Sequence, residues 1–216
     1  MKKTFKGILF ALMAIISINA FAQEEETCEL YFKDFTIKAG ETKTIYLYLQ
    51  NNFLGRDFQV QVFFGEGITP VAVKARKYFV PIGRALGEGT VFSQLYDEGE
   101  RRLRMLSNNF DGESVFTPGD EPIAELKVKA DDNFSGKVIC QVKDIPGWTC
   151  KLNHDVINPD GTKGVVSVEQ KNYRKFNAYP AVTIPWLLAN GVEGGEYGIA
   201  DPVAVVAEAG IGSFVQ

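Results

Sequence analysis

Short segments along the middle of the sequence alternate between apolar and polar residues. In the clearest case, Ile45, Leu47 and Leu49 fall on one face of an extended segment, and Tyr46 and Tyr48 fall on the other. Successive side chains of a β-strand point to opposite faces, so a period of two predicts a strand with one buried side.

The same alternation predicts about nine short strands, each ended by residues that favour turns. They are residues 30–32, 35–37, 44–49, 58–64, 68–71, 102–107, 123–130, 137–142 and 165–168. The basic segment 74–90 contains a proline and predicts only a strand fragment and a long loop. Because no amphipathic helix of three turns lies between the strands, helical crossovers cannot join them in parallel. The pattern therefore predicts an all-β fold, an antiparallel sandwich or barrel in which apolar sheet faces are buried against each other.

The N-terminus has the three features of a secretory signal peptide. Three lysines fall among the first six residues, residues 7–18 are uncharged and apolar, and small residues occupy positions 20 and 22. We therefore predict that residues 1–22 are a cleaved signal and that the protein is exported, to the periplasm, the cell surface or the extracellular medium. The apolar run is too short to span a bilayer as a helix, which argues against a lasting membrane anchor.

Composition changes after residue 170, and this divides the predicted mature chain in two. Residues 23–170 carry the strand pattern and are assigned to the sandwich. Residues 171–216 form a C-terminal extension with aromatic, proline-containing and glycine-rich parts. Within it, residues 201–209 predict one short helix, with Asp201 as its N-cap and Pro202 as its first residue.

The charge of the chain excludes one class of partner. The sequence has 27 acidic and 23 basic residues and a formal net charge of −4, and removal of the three signal lysines makes the mature chain more acidic. An acidic surface repels phosphate backbones, and no basic run offsets it. We therefore predict that nucleic acid is not a partner; the oligomeric state is left open.

The three cysteines are compatible with two arrangements. In an exported chain, Cys140 and Cys150 could form a disulfide and leave Cys28 unpaired. In the alternative arrangement all three are buried thiols. No CxxC motif occurs, and the single histidine cannot complete a zinc site with cysteines so scattered.

Four segments contain strand and turn motifs in a recognisable order. Residues 37–45 hold an Ala-Gly-Glu turn between two strands, and residues 58–71 hold a strand that exits through Gly-Glu-Gly. Residues 104–110 form a strand that ends in Ser-Asn-Asn, and residues 123–130 form a long strand before a glycine-containing turn. In this order, over about residues 29–170, the sequence resembles cohesin-like domains, which share a superfamily with some carbohydrate-binding modules.

This resemblance implies a fold, a function and a class of partner. Cohesin-like domains are jelly-roll-like β-sandwiches of about nine strands, and cohesins proper bind a small calcium-loaded dockerin module through one sheet face. Residues 198–206 are similar, in degenerate form, to the end of a dockerin calcium loop and the start of its helix. In that loop Val192 and Gly194 would occupy ligand positions without side-chain oxygens, so we predict no calcium site there.

No constellation of catalytic residues accompanies the strands. His154 lies in a segment that predicts a surface loop, and the sequence has no Gly-x-Ser-x-Gly motif and no phosphate-binding loop. Adjacent acidic pairs such as Asp131 and Asp132 fall in predicted turns, where solvation explains them. We therefore predict that the protein is not an enzyme, and we assign no catalytic residue, metal ligand or cofactor.

Aromatic side chains provide the best candidates for ligand binding. Tyr46 and Tyr48 lie on the strand face opposite the predicted core, and Trp148 lies in a predicted loop. Rings in such positions bind proteins or stack on sugar rings, unless a neighbouring loop or the aromatic C-terminal segment covers them. The sequence thus predicts a secreted, non-catalytic module that binds an extracellular protein module or, alternatively, a polysaccharide through Tyr46, Tyr48 or Trp148.

Overall fold

The fold is known from a computed structural model that describes residues 25–86, 90–109 and 116–181. These residues form thirteen strands and one 3₁₀ turn, Gly83–Ala85. The strands are β1 (Cys28–Phe32), β2 (Phe35–Ile37), β3 (Thr42–Asn51), β4 (Asp57–Phe63), β5 (Ile68–Val71), β6 (Phe79–Pro81), β7 (Thr90–Asp97), β8 (Arg102–Asn109), β9 (Gly119–Ala130), β10 (Val138–Val142), β11 (Lys151–Ile157), β12 (Lys163–Glu169) and β13 (Lys175–Pro180). The prediction of an all-β fold is confirmed, and the described ranges contain no helix long and apolar enough to cross a bilayer.

Two sheets pack face to face. Sheet A has the order β1-β3-β9-β5, and β6 also pairs with β9. Sheet B has the order β12-β11-β4-β10-β13-β2, and β8 pairs with the opposite side of β4 and carries β7 at its far edge. The inner faces meet in one core, to which sheet A contributes Ile45, Leu47 and Leu49, as predicted, and sheet B contributes Phe58 and Val60.

Two of the strands beyond the predicted nine, β6 and β11, arise because a longer run along one partner strand is interrupted. β5 and β6 run along the same partner, β9, and are separated by an excursion at residues 72–78. In the same way β10 and β11 both pair with β4 and are separated by an excursion at residues 143–150. Each excursion is closed by one isolated bridge, Lys74 with Lys77 and Ile145 with Trp148.

One strand pair departs from the predicted antiparallel arrangement. Among the strands described, β13 and β2 are parallel and every other pair is antiparallel. Parallel neighbours need a long connection rather than a hairpin. Here residues 38–174 supply that connection, because β2 is near the start of the described residues and β13 is near their end.

β13 extends the sandwich past the boundary placed at residue 170. It lies within the segment assigned to the C-terminal extension, but it pairs with both β10 and β2 in sheet B. The sandwich therefore includes residues up to Pro180. The predicted signal at 1–22, the helix at 201–209 and the dockerin-like segment at 198–206 lie outside the residues that the structure describes.

Two glutamine side chains join the sheets at opposite sides of the sandwich. Gln94 of β7 accepts hydrogen bonds from the amides of Tyr78 (2.8 Å) and Phe79 (2.6 Å) and donates one to the Phe79 carbonyl (2.9 Å). Gln170, which follows β12, accepts from the Leu30 amide (2.9 Å) and donates to the Leu30 carbonyl (3.2 Å). Each side-chain amide thus bonds to an edge of sheet A as a further strand would.

Arg101 fixes the turn between β7 and β8. Its backbone has φ of +51°, in the left-handed region that non-glycine residues rarely adopt. Its guanidinium donates to the carbonyls of Phe64 (3.3 Å), Gly65 (2.9 Å) and Ile68 (2.7 Å). These bonds tie the β7–β8 turn to the turn between β4 and β5.

Candidate functional site

The three predicted ligand-binding aromatics lie on two different outer faces. Tyr46 and Tyr48 are on β3 and point outward from sheet A, whereas Trp148 is in the excursion between β10 and β11, over sheet B. The sandwich core separates the two faces, so the structure does not bring the three rings together.

Tyr46 and Tyr48 differ in how far they are covered. Tyr46 is 40% exposed, whereas Tyr48 is half-buried. The Tyr48 ring stacks on Tyr31 of β1 with 5.2 Å between centroids, and Lys33 Nζ lies 4.1 Å from its centre. Tyr31 in turn lies under the Arg174 guanidinium, at 4.5 Å. Residues close to the tyrosines in the fold therefore cover much of the predicted platform.

The Tyr31 hydroxyl completes this packing. It donates a 2.7 Å hydrogen bond to Asp120, and Tyr31 is 5% exposed. Burial, followed by that hydrogen bond and the Asp120 charge, raises the pKa of Tyr31 to about 12. Arg174 also pairs with the buried Glu29 through Nε and Oε1, at 2.5 Å. Satisfied polar contacts of this kind stabilise a fold rather than offer a binding site.

The remainder of the outer face of sheet A is charged. Glu125 lies opposite Tyr46 in the β3–β9 register, and Lys127 and Lys129 follow on the same face of β9 and are exposed. Charged side chains at these positions favour water over a partner surface, because a partner would have to desolvate them.

Trp148 is held over sheet B by two outward glutamines of β4. Gln61 donates to the Trp148 carbonyl (3.3 Å), and Gln59 donates to the Thr149 carbonyl. Gly147, with φ of +78°, supplies the left-handed residue that the tight excursion requires. The excursion therefore lies across the centre of the face, and Gln61 beneath it is fully buried.

Trp148 adjoins a row of exposed apolar residues on β7 and β8. The Arg104 guanidinium lies 5.3 Å from the Trp148 ring, and Leu95, opposite Arg104 in the register, is 51% exposed. On the same face Val91 is 49% exposed and Leu106 is half-buried. We call these five residues, Val91, Leu95, Arg104, Leu106 and Trp148, the β7–β8 patch.

Polar residues of β7 and β8 border the β7–β8 patch. Ser93 and Asn108 lie between and beside its aliphatic members in the β7–β8 register. At one end, Arg102 contacts Glu100 (2.8 Å) and Asp97 (3.6 Å). An apolar centre with a polar border is the usual anatomy of a surface that binds proteins.

The prediction that His154 lies in a surface loop is wrong. It belongs to β11, its side chain is 12% exposed, and its ring lies 5.1 Å from that of Phe53. Its Nε2 is 3.0 Å from Glu26 Oε2, so it holds the residues before β1 against the sandwich. Within the described ranges, no group of three or more His, Cys, Asp or Glu residues could hold a metal ion.

The cysteines take the second of the two predicted arrangements, that of buried thiols. Cys28, Cys140 and Cys150 are all buried and none forms a disulfide. Burial is the largest cause that raises the pKa of Cys28 and Cys140 to about 11 and that of Cys150 to about 12. Thiols with such values carry almost no thiolate near neutral pH and are poor nucleophiles.

Sequence patterns did not reveal β7, which contributes Val91 and Leu95 to the patch. Its outward residues include Val91 and Leu95, and its inward residues include Phe92 and Tyr96, so both faces are apolar and no period of two results. The one available signal was the enrichment of residues 90–97 in β-branched and aromatic side chains.

The comparison with known structures concerns the fold. No family model and no curated protein matches the sequence. The sixth cohesin of Acetivibrio cellulolyticus scaffoldin B, solved in complex with a Cel5 dockerin mutant, aligns with a TM-score of 0.53 and 11% identity over 71% of this chain and 99% of that chain.

Two further structures agree with this match. A chain of the Coh-OlpC–Doc435 type I cohesin–dockerin complex from Clostridium thermocellum gives a TM-score of 0.51 and 14% identity over 72% of this chain and 96% of that chain. The seventh ScaB type I cohesin from Pseudobacteroides cellulosolvens gives a TM-score of 0.50 and 12% identity over 74% of this chain and 95% of that chain. With the two-sheet topology described above, these matches show that the chain contains a cohesin-like β-sandwich.

Proposed function

We propose that this protein is an exported, non-catalytic module that binds another protein through the β7–β8 patch. The observation that carries the proposal is the combination on one sheet face of half-exposed aliphatic side chains, an aromatic ring and a guanidinium that forms no ion pair with the described residues. Val91 and Leu95 are each about half exposed, and a partner that covers them gains roughly 25 cal/mol for each square ångström of apolar surface.

Sheet B is favoured over sheet A by the chemistry of the two outer faces. On sheet A the tyrosines are partly covered and flanked by charged residues. On sheet B, Leu95, Arg104 and Trp148 form one row across β7, β8 and the excursion. Arginine and tryptophan are enriched among the residues that dominate binding energy at protein interfaces.

The structural matches support a proposal on the class of partner. Two of the similar structures are cohesin–dockerin complexes, so we propose a small extracellular protein module, a dockerin or one of similar size, as the partner. Among the described residues Arg104 makes a contact with the Trp148 ring but no ion pair. A carboxylate on the partner would therefore complement it.

Export is part of the proposal, and the N-terminal sequence supports it. The basic start, the apolar run and the small residues at positions 20 and 22 would direct the chain out of the cytoplasm. A protein-binding module in the periplasm, on the cell surface or in the medium fits that route.

The test is a pull-down of the mature protein against the secreted proteins of its own source, followed by titration of the captured partner. We expect Leu95→Glu and Trp148→Ala each to weaken binding by about 30-fold or more, the effect of losing an interface hot spot of about 2 kcal/mol. Tyr46→Ser, on the opposite sheet, is the matched control and should leave affinity unchanged. Unchanged binding in Leu95→Glu together with loss in Tyr46→Ser would assign the function to sheet A instead.

A polysaccharide is the second candidate ligand, and the exposure of Tyr46 favours it. A ring that is 40% exposed on the outer face of a sheet can stack on a sugar. Affinity electrophoresis in polysaccharide gels would show retardation of the wild type that Tyr46→Ala abolishes and Leu95→Glu preserves. Equal retardation of all three proteins would contradict a sugar site at Tyr46.

A further inference from the structure

β12 forms an open edge of sheet B. It pairs with β11 over seven residue pairs, from Lys163 with Ile157 to Glu169 with Lys151, without a register shift. In the part of the chain that the structure describes, no strand pairs with its other side. An unpaired strand edge presents backbone donors and acceptors to any strand that can align with it.

The hydrogen-bond alternation shows which backbone groups point to that open side. The Gln170 amide donates to the Cys150 carbonyl (2.9 Å), and the Asn158 amide donates to the Thr162 carbonyl (2.9 Å). Both pairs consist of even-numbered residues, and residues of an antiparallel strand bond alternately to one side and the other. The N–H and C=O groups of the odd-numbered residues, 163, 165, 167 and 169, therefore point away from β11.

The usual protections of an edge strand are missing from the centre of β12. Its sequence, Lys-Gly-Val-Val-Ser-Val-Glu, has no proline, and its charges stand only at the two ends. Val165 is 54% exposed and Val166 is 42% exposed. Proteins normally protect an exposed edge with central charges, proline or a bulge, because an uncharged valine-rich edge associates with other strands.

We propose that a second copy of this chain occupies this edge, so that two β12 strands pair antiparallel about a twofold axis at Val166. In this register Lys163 of one copy faces Glu169 of the other, and Val165 faces Ser167, each twice. These four pairs consist of odd-numbered residues, whose N–H and C=O groups point away from β11, so the unpaired backbone groups of the two copies meet. Opposite charges directly across a strand pair stabilise it.

Other registers are worse for reasons of charge and hydrogen bonding. A parallel pairing in register places Lys163 beside Lys163 and Glu169 beside Glu169. A slip of one residue places the unpaired N–H and C=O groups of odd-numbered residues opposite even-numbered residues, whose N–H and C=O groups already bond to β11. A slip of two residues in one direction places Lys163 opposite Lys171, a like-charge pair. A slip of two residues in the other direction places Lys163 opposite Ser167 and Glu169 opposite Gly161, so both pairs of opposite charge are lost. The register centred on Val166 pairs opposite charges and also brings the unpaired backbone groups of the two copies together.

This inference concerns a different surface from the proposed partner site. β12 and β7 are at opposite ends of sheet B, separated by β11, β4 and β8. The dimer can therefore exist whether or not the β7–β8 patch binds a protein, and the tests below need no partner.

Disulfide trapping tests the register. Val166→Cys places the new thiols of two copies face to face in a non-hydrogen-bonded pair, where Cα atoms are about 4.5 Å apart, within the range that a disulfide accepts. Val165→Cys is the matched control, because it is a neighbouring exposed valine whose thiol would face Ser167. With diamide as oxidant, we expect Val166→Cys to form covalent dimer at least about five times faster than Val165→Cys. Equal rates would overturn the proposed register.

Charge exchange tests the pairing without covalent chemistry. In sedimentation equilibrium of the mature chain we expect a concentration-dependent dimer. Lys163→Glu and Glu169→Lys should each weaken it by at least about tenfold, because each creates two like-charge pairs. An equimolar mixture of the two variants should dimerise again, because every pair in the mixed dimer is opposite in charge. A monomeric wild type, or a dimer insensitive to both substitutions, would overturn the proposal.

Discussion

Replacement of Gln170 by methionine tests how the sandwich is closed. The Gln170 side chain is 4% exposed, and its amide makes both hydrogen bonds of the otherwise unpaired Leu30 backbone. It also donates to the Asn172 carbonyl at 2.5 Å. Methionine has a similar length and volume, so Gln170→Met removes these three bonds while leaving the space filled.

The size of the effect follows from the groups left behind. Leu30 is fully buried, so its N–H and C=O would lose their partners without gaining water. Each buried polar group left unsatisfied costs about 1–3 kcal/mol, and the carbonyls lose less because they have a second lone pair. We expect the free energy of unfolding to fall by about 3 kcal/mol, which lowers the melting temperature of a domain of this size by roughly 6–12 °C.

Urea unfolding followed by tryptophan fluorescence, with calorimetry for the melting temperature, measures this change. Gln50→Met is the matched control, because Gln50 is exposed on β3, and surface changes of this kind stay within about 0.5 kcal/mol. If Gln170→Met costs no more than Gln50→Met, the side-chain amide does not close the sandwich, and the reasoning is refuted.

Three further predictions concern packing, a turn and titration. A Cβ at Gly65 would lie 2.5 Å from a valine methyl and 2.6 Å from a backbone carbonyl oxygen, so Gly65→Ala should lower the free energy of unfolding in urea by about 1–3 kcal/mol. Gly136→Ala is the control, because a Cβ there would meet open space and should change the free energy of unfolding little. Arg101→Ala should cost about 2–3 kcal/mol by removing a charged donor from three carbonyls, and a loss below about 0.5 kcal/mol would contradict the role given to it. Burial raises the thiol pKa of Cys140 to about 11 and of Cys150 to about 12, so the stability that these neutral thiols contribute is complete below about pH 8.5 and is lost as the pH rises through 11–12. At pH 10 the free energy of unfolding should be lower by roughly 1–2 kcal/mol per thiol, and Cys150→Ala should reduce this loss. A free energy of unfolding that does not change between about pH 8 and pH 10 would contradict the prediction.

Strands with one polar face were predictable because their pattern records burial directly. β3 shows this, since Ile45, Leu47 and Leu49 are buried and Tyr46 is exposed. The alternation also identified the outward side of Tyr48. It carried no information on which of the two sheets a strand joins, because that depends on pairing between distant segments. The separation of the tyrosines from Trp148 could therefore not be predicted.

The contacts that close the sandwich were unpredictable for the same reason. Gln94 bonds to a backbone 15 residues away, and Gln170 to one 140 residues away. In the sequence both are polar residues, for which solvent exposure is the ordinary expectation. Gln170 is buried and Gln94 is half-buried because each meets an unpaired strand edge of the opposite sheet, and only the folded topology brings that edge within reach.

The failure of the pattern at β7 bears on the proposed function. A strand whose two faces are both apolar is normally covered on both sides, yet in the described structure Val91 and Leu95 remain about half exposed on the outer one. Selection for stability alone gives no reason to keep two aliphatic side chains in water beside Arg104 and Trp148. Along β3, β4 and β9 the apolar face is buried and the polar face is outward, and this rule fails at the outer face of β7. Such a local exception is expected where a surface binds a partner rather than the core of its own chain. The same reasoning separates this patch from sheet A, where Tyr48 packs against Tyr31 and Lys33 and where the exposed Tyr46 is flanked by charged residues of β9.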